Sequence, residues 1–186
     1  PARDTIDVGD VKKAMDKRRV HGNSPGGWER ILAAAADPIQ VKAAQAAGAK
    51  GINVAGLCCT GNELLMRRGI PLAGNHLMTE LCIVTGAVEA IVADYQCIMP
   101  SLVNVSQCYH TKFVTTSDKA HFRGAETFHF SPENARELAG QVVGLAVEAF
   151  KKRDPGRVDI PVETVEMMSG FSNEAIVEAL GGTPDP

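Results

Sequence analysis

Lys50-Gly51-Ile52-Asn53-Val54-Ala55-Gly56-Leu57-Cys58-Cys59-Thr60-Gly61-Asn62-Glu63 is the stretch whose reading decides the fold. Its first half, residues 50–56, is short, apolar and bounded by glycine, the pattern of a buried strand. Glu63-Leu64-Leu65-Met66-Arg67-Arg68 then takes a helical pattern that Gly69 and Pro71 stop. Two adjacent thiols therefore sit where a strand runs out into a helix. Ligands collect at the carboxyl ends of strands in open α/β sheets, and a thiolate near a helix N-terminus gains from the helix dipole.

On the amino-terminal side, Asp7 to Arg19 carries Val8, Val11, Ala14 and Met15 at helical spacing and reads as a short exposed helix. Trp28 to Ala47 is Ala-rich and broken at Asp37-Pro38, an N-cap followed by proline at the first helical position, so two helices are expected, closed by Gly48. On the carboxyl-terminal side, Leu77 to Val88 is helical in period, and Ala90-Ile91-Val92-Ala93 is a strand followed by Cys97. Pro100 to Cys108 predicts a short helix, Lys112 to Thr116 a strand, and Glu126 to Phe130 a further strand with period-two alternation. Ser131 caps a helix with Pro132 at its first position, running to about Lys152. Its expected buried stripe is Ala135, Leu138, Ala139, Val142, Val143, Leu145 and Ala146. Val162 to Met168 is a candidate last strand, and Ser172 to Leu180 a short amphipathic helix capped by Ser172. Strands alternating with helices imply an α/β fold: a Rossmann-like open parallel sheet with helices on both faces and right-handed crossovers. The expected division is a helical N-terminal segment, 1–47, and a Rossmann-like domain, 48–186.

The 186 residues suit one domain; 45% are hydrophobic, 22% are charged and the net charge is -3. That balance offers no electrostatic footprint for nucleic acid or an anionic membrane. No apolar run approaches the ~20 residues of a transmembrane helix, and residues 1–7 lack the order of a signal peptide, so a cytoplasmic protein is expected. Five cysteines, an odd number, in a chain of this size argue against a secreted disulfide scaffold and fit a reducing compartment. Pro1 without methionine and the abrupt Thr183-Pro184-Asp185-Pro186 end read as cuts in a longer polypeptide.

Cys59 and Cys97 each follow a predicted strand of one sheet and so face one crevice, where soft thiolates suit iron, nickel, copper or zinc. Against this stand the lack of a C-x-x-C pair, the frequency with which free cysteine is simply buried, and the fact that two ligands do not complete a site. Cys82 lies in an apolar helix face and reads as core; Cys108 with His110 is a possible ligand pair, with packing the preferred reading. His21 is a loop ligand or a surface histidine, and His76, His121 and His129 are scattered. Glu63 and Asp94 lie near the thiols in sequence, where helix-start and strand-end roles outweigh tuning of a metal. No dinucleotide, Walker A or serine-hydrolase motif is present.

Gly51-Ile52-Asn53-Val54, Cys58-Cys59-Thr60-Gly61-Asn62-Glu63, Leu65-Met66-Arg67, Gly69-Ile70-Pro71, Thr85-Gly86-Ala87-Val88, Asp94-Tyr95-Gln96-Cys97 and Gly170-Phe171-Ser172 together resemble the middle domain of the anaerobic nickel-dependent carbon monoxide dehydrogenase catalytic subunit. The resemblance covers nearly all of residues 48–180. It implies an enzyme that converts CO and water to CO2, two protons and two electrons on a nickel-iron-sulfur (Ni-4Fe-4S) cluster. Further 4Fe-4S clusters bound elsewhere in the full-length protein would pass the electrons to a ferredoxin-like acceptor. It implies that Cys59 binds the exposed iron beside nickel, that Cys97 binds the cubane part, and that Cys58 is a neighbour. It also implies a homodimer, with an acetyl-CoA synthase as a possible partner that consumes CO.

There are two departures. Where the family reads His-Gly-His followed by two residues ending in Pro, this chain has His21-Gly22-Asn23-Ser24-Pro25, and asparagine is a poorer soft-metal ligand than imidazole. The family's other cluster cysteines and its acid-base residues also fall outside this chain, so the chain by itself is expected to be inactive. The alternatives are a hybrid-cluster protein of the hydroxylamine reductase type, and a non-catalytic α/β module that has lost the metal.

Overall fold

In a computed structural model of the chain, which describes residues 27–58, 68–93, 98–117, 121–162 and 173–181, helices alternate with parallel strands. The first helices are α1 (Gly27–Ala35) and α2 (Pro38–Ala46). They part where expected: Asp37 is extended and its Oδ1 accepts the Ile39 amide at 2.8 Å, while Pro38 fills the first position, where no amide donor is required. Gly48 ends the second helix with a φ of 95°, a left-handed turn that a side chain would resist.

β1 (Gly56–Leu57) pairs in parallel with β2 (Leu72–Gly74), and α3 (Met78–Val84) leads to β3 (Ala90–Ala93). α4 (Ser101–Gln107) then crosses to β4 (Lys112–Thr115), which is followed by β5 (Glu126–Thr127) and the long α5 (Ala135–Phe150). α6 (Asn173–Ala179) is the last described helix. β3, β4 and β5 form a parallel sheet in sequential order, with Ile91 opposite Phe113 and Val92 opposite Val114.

Helices cover both faces of that sheet because the strands alternate. Ile91 and Phe113 join Ile83 of α3 and Leu102 and Val103 of α4 in one core cluster, with Phe122 edge-on to Phe113 at 6.4 Å between ring centroids. Val114, fully buried, points the other way, toward the face where α5 packs on β3 and β4. α5 buries Ala135, Ala139, Val142, Val143, Val147 and Ala149 and is in turn covered by α1, whose Ile31, Leu32 and Ala35 are buried. Burying a side chain such as Leu32 contributes about 1.5–3 kcal/mol. Leu32 also meets Ile70, Trp28 and Val54 in a second, smaller cluster.

The α/β class, the two-helix start, β3, α4, β4, α5 and α6 follow the sequence reading. The differences are local. The strand expected over 50–56 shrinks to two residues at its end, and β2, unforeseen behind Pro71, is its partner. The ladder is divided: among the described residues β1–β2 and β3–β4–β5 are separate hydrogen-bonded sheets, joined by packing, since Leu57 sits against the cluster around Phe113. Ser131 does not begin the long helix directly. It exchanges bonds with Asn134 across a turn, its amide donating to Asn134 Oδ1 at 2.7 Å and its Oγ accepting the Asn134 amide at 3.4 Å, and α5 starts at Ala135. In α5, Leu138, Leu145 and Ala146 are half-buried, and Val147 and Ala149 take the deep positions. The helix expected over 7–19, the one after Cys59, the Ser172 cap and nearly all of the strand expected over 162–168 lie outside the described residues. Among the described residues no helix is long and apolar enough to cross a membrane.

Candidate functional site

Cys59 and Cys97 lie outside the described residues, as do His21, Asn23, Glu63 and Asp94. The structure does define the chain on both sides of each thiol. On the side of Cys59, Leu57 is held between Gly74 across the ladder and the Phe113 cluster. The register slips between Gly56 and Leu57, and Cys58 then takes a φ of 54°, the left-handed region. The chain is described again at Arg68, whose guanidinium, 6% exposed, donates to Glu29 Oε1 of α1 at 2.9 Å. Ile70 then enters the Leu32 cluster.

On the side of Cys97, the Ala93 carbonyl at the end of β3 accepts two bonds from one residue, the Thr116 amide at 2.9 Å and the Thr116 hydroxyl at 3.2 Å. Beside it the Thr115 hydroxyl donates to Thr127 Oγ1 at 3.1 Å. The carboxyl-terminal rim of this sheet is thus lined by buried threonine hydroxyls, Thr115 and Thr116 being almost fully enclosed. Beyond the cysteine, Ile98 and Met99 pack on the Phe113 cluster, and α4 follows. Both thiol-bearing segments therefore start from residues seated on the same apolar core.

The opposite rim, at the amino ends of β3 and β4, is a charged knot. Glu89 accepts from Arg153 Nε at 2.8 Å and pairs with His110 Nε2 at 3.1 Å, and Arg153 also donates to the Ala87 carbonyl at 2.7 Å. Cys108 and His110 line a cleft there with Tyr109, Lys152, Asp154 and Arg157. His110 is already committed to Glu89. Cys108 is exposed rather than packed, with its sulfur 3.6 Å from the Asn104 carbonyl, and Arg157 stacks 4.5 Å over the Tyr109 ring. This pair sits beside the amino end of β4, at the opposite rim from Ala93, where β3 ends. Cys82 is half-buried on α3, and burial pushes its thiol above the ordinary value by disfavouring the thiolate. His76 is half-buried, and His121 and His129 are exposed.

Among the described residues no three His, Cys, Asp or Glu side chains gather to hold a metal ion. Thiolates are the donors that suit an iron-sulfur group, and completing one around Cys59 and Cys97 requires further ligands. The threonine rim and the Arg68–Glu29 tie were missed by the sequence reading. The doubled Thr115-Thr116 at a strand end was the available signal for the first; a lone arginine carried none for the second.

The chain matches the model of the Prismane/CO dehydrogenase family over residues 1–180. It is 50% identical over 186 residues to carbon monoxide dehydrogenase 1 of Methanosarcina mazei, covering all of this chain and 30% of that one. To the carbon monoxide dehydrogenase/acetyl-CoA synthase subunit beta of Moorella thermoacetica it is 44% identical over 163 residues, 87% of this chain and 24% of the other. A nickel-free crystal structure of carbon monoxide dehydrogenase from Thermococcus sp. AM4 superposes with a TM-score of 0.75 at 53% identity, covering 86% of this chain and 25% of that one. The chain thus spans about a third or less of the length of the relatives it matches.

Proposed function

Because the chain belongs to the Prismane/CO dehydrogenase family, we propose that it is the central α/β part of a carbon monoxide dehydrogenase, an oxidoreductase taking CO and water to CO2, two protons and two electrons. In this reading Cys59 and Cys97 are thiolate ligands of a nickel-iron-sulfur cluster, and the chain divides into a helical N-terminal segment, 1–47, and a Rossmann-like domain, 48–186. Electrons leave through 4Fe-4S clusters bound elsewhere in the full-length, homodimeric protein to a ferredoxin-like acceptor. The similarity to a subunit of a carbon monoxide dehydrogenase/acetyl-CoA synthase supports a synthase as a possible consumer of the CO.

The observation that carries the reading is the common footing of the two segments. Leu57 before Cys59, and Ala93, Ile98 and Met99 around Cys97, all pack on the Phe113 cluster. Ligands of a rigid inorganic group need such a shared frame, since misplaced donors weaken metal binding steeply. When bound, the cluster supplies Lewis acidity and an electron sink. This chain's part is to present two thiolates, to anchor the segment after Cys97 on the apolar core through Ile98 and Met99, and to leave further ligands and proton-transfer groups to the rest of the polypeptide.

A hybrid-cluster protein is the second reading, but relatives named carbon monoxide dehydrogenase and carbon monoxide dehydrogenase/acetyl-CoA synthase subunit beta, at 50% and 44% identity, favour the nickel enzyme. Asn23 in place of the family's histidine is the residue that favours a module without metal. The test is iron and nickel analysis of the complete gene product carrying this chain, purified without oxygen, beside Cys59→Ala and Cys97→Ala. Each variant should lose most of the nickel and part of the iron and all CO oxidation while keeping its far-UV circular dichroism. Unchanged metal content in both would refute the reading.

A further inference from the structure

We infer that Cys58 is a positioning residue, whose left-handed backbone, rather than its thiol, sets the direction in which the chain leaves β1 toward Cys59. The inference rests on the reading of Cys59 as a cluster ligand. Cys58 is the one non-glycine residue with a positive φ, 54°, among the described residues. That region crowds Cβ against the backbone; glycine enters it freely and asparagine tolerates it, whereas cysteine has no such preference. A conformation of this kind persists where its surroundings over-determine it, and such residues gather at ligand sites.

Here the surroundings leave little slack. Leu57, immediately before, is fixed by its pairing with Gly74 and by the Phe113 cluster. Gly74 itself has a φ of 143°, and a Cβ there would lie 2.7 Å from Met78 Cγ, so the partner of Leu57 on β2 is a position that only glycine fills without strain. The register has already slipped between Gly56 and Leu57, placing the end of the ladder one residue before the turn. An extended Cys58 would continue along β2; the left-handed one ends the strand at that point. The Cys58 side chain is half-buried and the inference assigns it no ligand role.

The experiment compares Cys58→Gly, Cys58→Asn, Cys58→Ala and Cys58→Val in the complete gene product, prepared without oxygen and challenged with an iron chelator. All four lack the thiol and differ in how well they accept a positive φ. The cluster should be retained in the order Gly and Asn, then Ala, then Val, with Val losing iron about tenfold faster than Gly. Its electron paramagnetic resonance signal should broaden in Val and be restored in Gly. If Val fails to fold, the Gly and Ala pair carries the test, with Gly expected to hold iron about threefold longer than Ala. Equal iron loss in all four variants would assign the effect to the thiol, and equal retention in all four would leave the turn without a role; either overturns the inference. Cys59→Ala, run alongside, separates the two ideas. If it loses metal while Cys58→Val and Cys58→Gly behave alike, only the positioning role fails; if it keeps its metal, the ligand reading fails and this inference with it.

Discussion

The exits of β1 and β3 are built by opposite means. β3 runs in register with β4 over four residues, and its last carbonyl is held twice by Thr116, so the chain departs from a strand paired with β4 up to its final residue. β1 has two paired residues, an irregular register and a left-handed residue at its end. The first exit is fixed by redundancy and the second by a single backbone turn with a core residue behind it. If the proposed ligand reading holds, a weak ladder on one side is offset by the core that both sides share.

The strongest way to break the comparison is to remove what the exits have in common. Phe113→Ala opens a cavity beneath both, and should cost about 3–5 kcal/mol by denaturant unfolding, with loss of both thiols' metal at once. Cutting one side comes next. Glu29→Ala leaves the buried Arg68 guanidinium without its carboxylate; since Glu29 is partly exposed, about 2 kcal/mol is expected, below the range for fully buried pairs. The β1 side should loosen first, read as faster amide exchange at Ile70 than at Val114. On the other side Thr116→Val removes one of the two bonds to Ala93 and should cost about 1 kcal/mol, because the backbone bond remains. If Thr116→Val exceeds Glu29→Ala in thermal shift, the β3 exit is the less redundant one and the contrast is reversed.

Most of the fold was legible because the signals were local. Asp37-Pro38, Ala90 to Ala93 and the apolar stripe of α5 each state their structure within a few residues, through a cap, a run of small and β-branched residues, or a 3.6 period. The parts that were not legible depend on partners far along the chain. Among the described residues β1 is two residues long and pairs with Pro71 to Gly74 alone, and nothing in Ile52-Asn53-Val54 announces that. Cys108 read as a packed thiol from composition, but its helix turns it to solvent. Of the candidate site, Cys59 and Cys97 were read as motifs and lie outside the described residues; the threonine bonds and the Arg68–Glu29 tie on their flanks arise only when distant segments meet.

The smallest expected effect contrasts two thiols away from the rim. Cys108, exposed, should be alkylated before Cys82, whose thiol is raised by burial and stays protonated further into alkali. The raised value also gives a sign: the contribution of Cys82 to stability is complete below the ordinary thiol range and is lost as pH rises through its raised value. Equal labelling rates at about pH 8 would show that α3 opens readily.

The central proposal is that Cys59, beyond β1, and Cys97, beyond β3, bind one inorganic centre. Anomalous diffraction at the iron edge, on crystals of the complete gene product grown without oxygen, tests it most directly. The account predicts iron peaks of a single cluster within bonding distance of both sulfur atoms. Iron bound to neither, or the two sulfurs attached to separate centres, would contradict it.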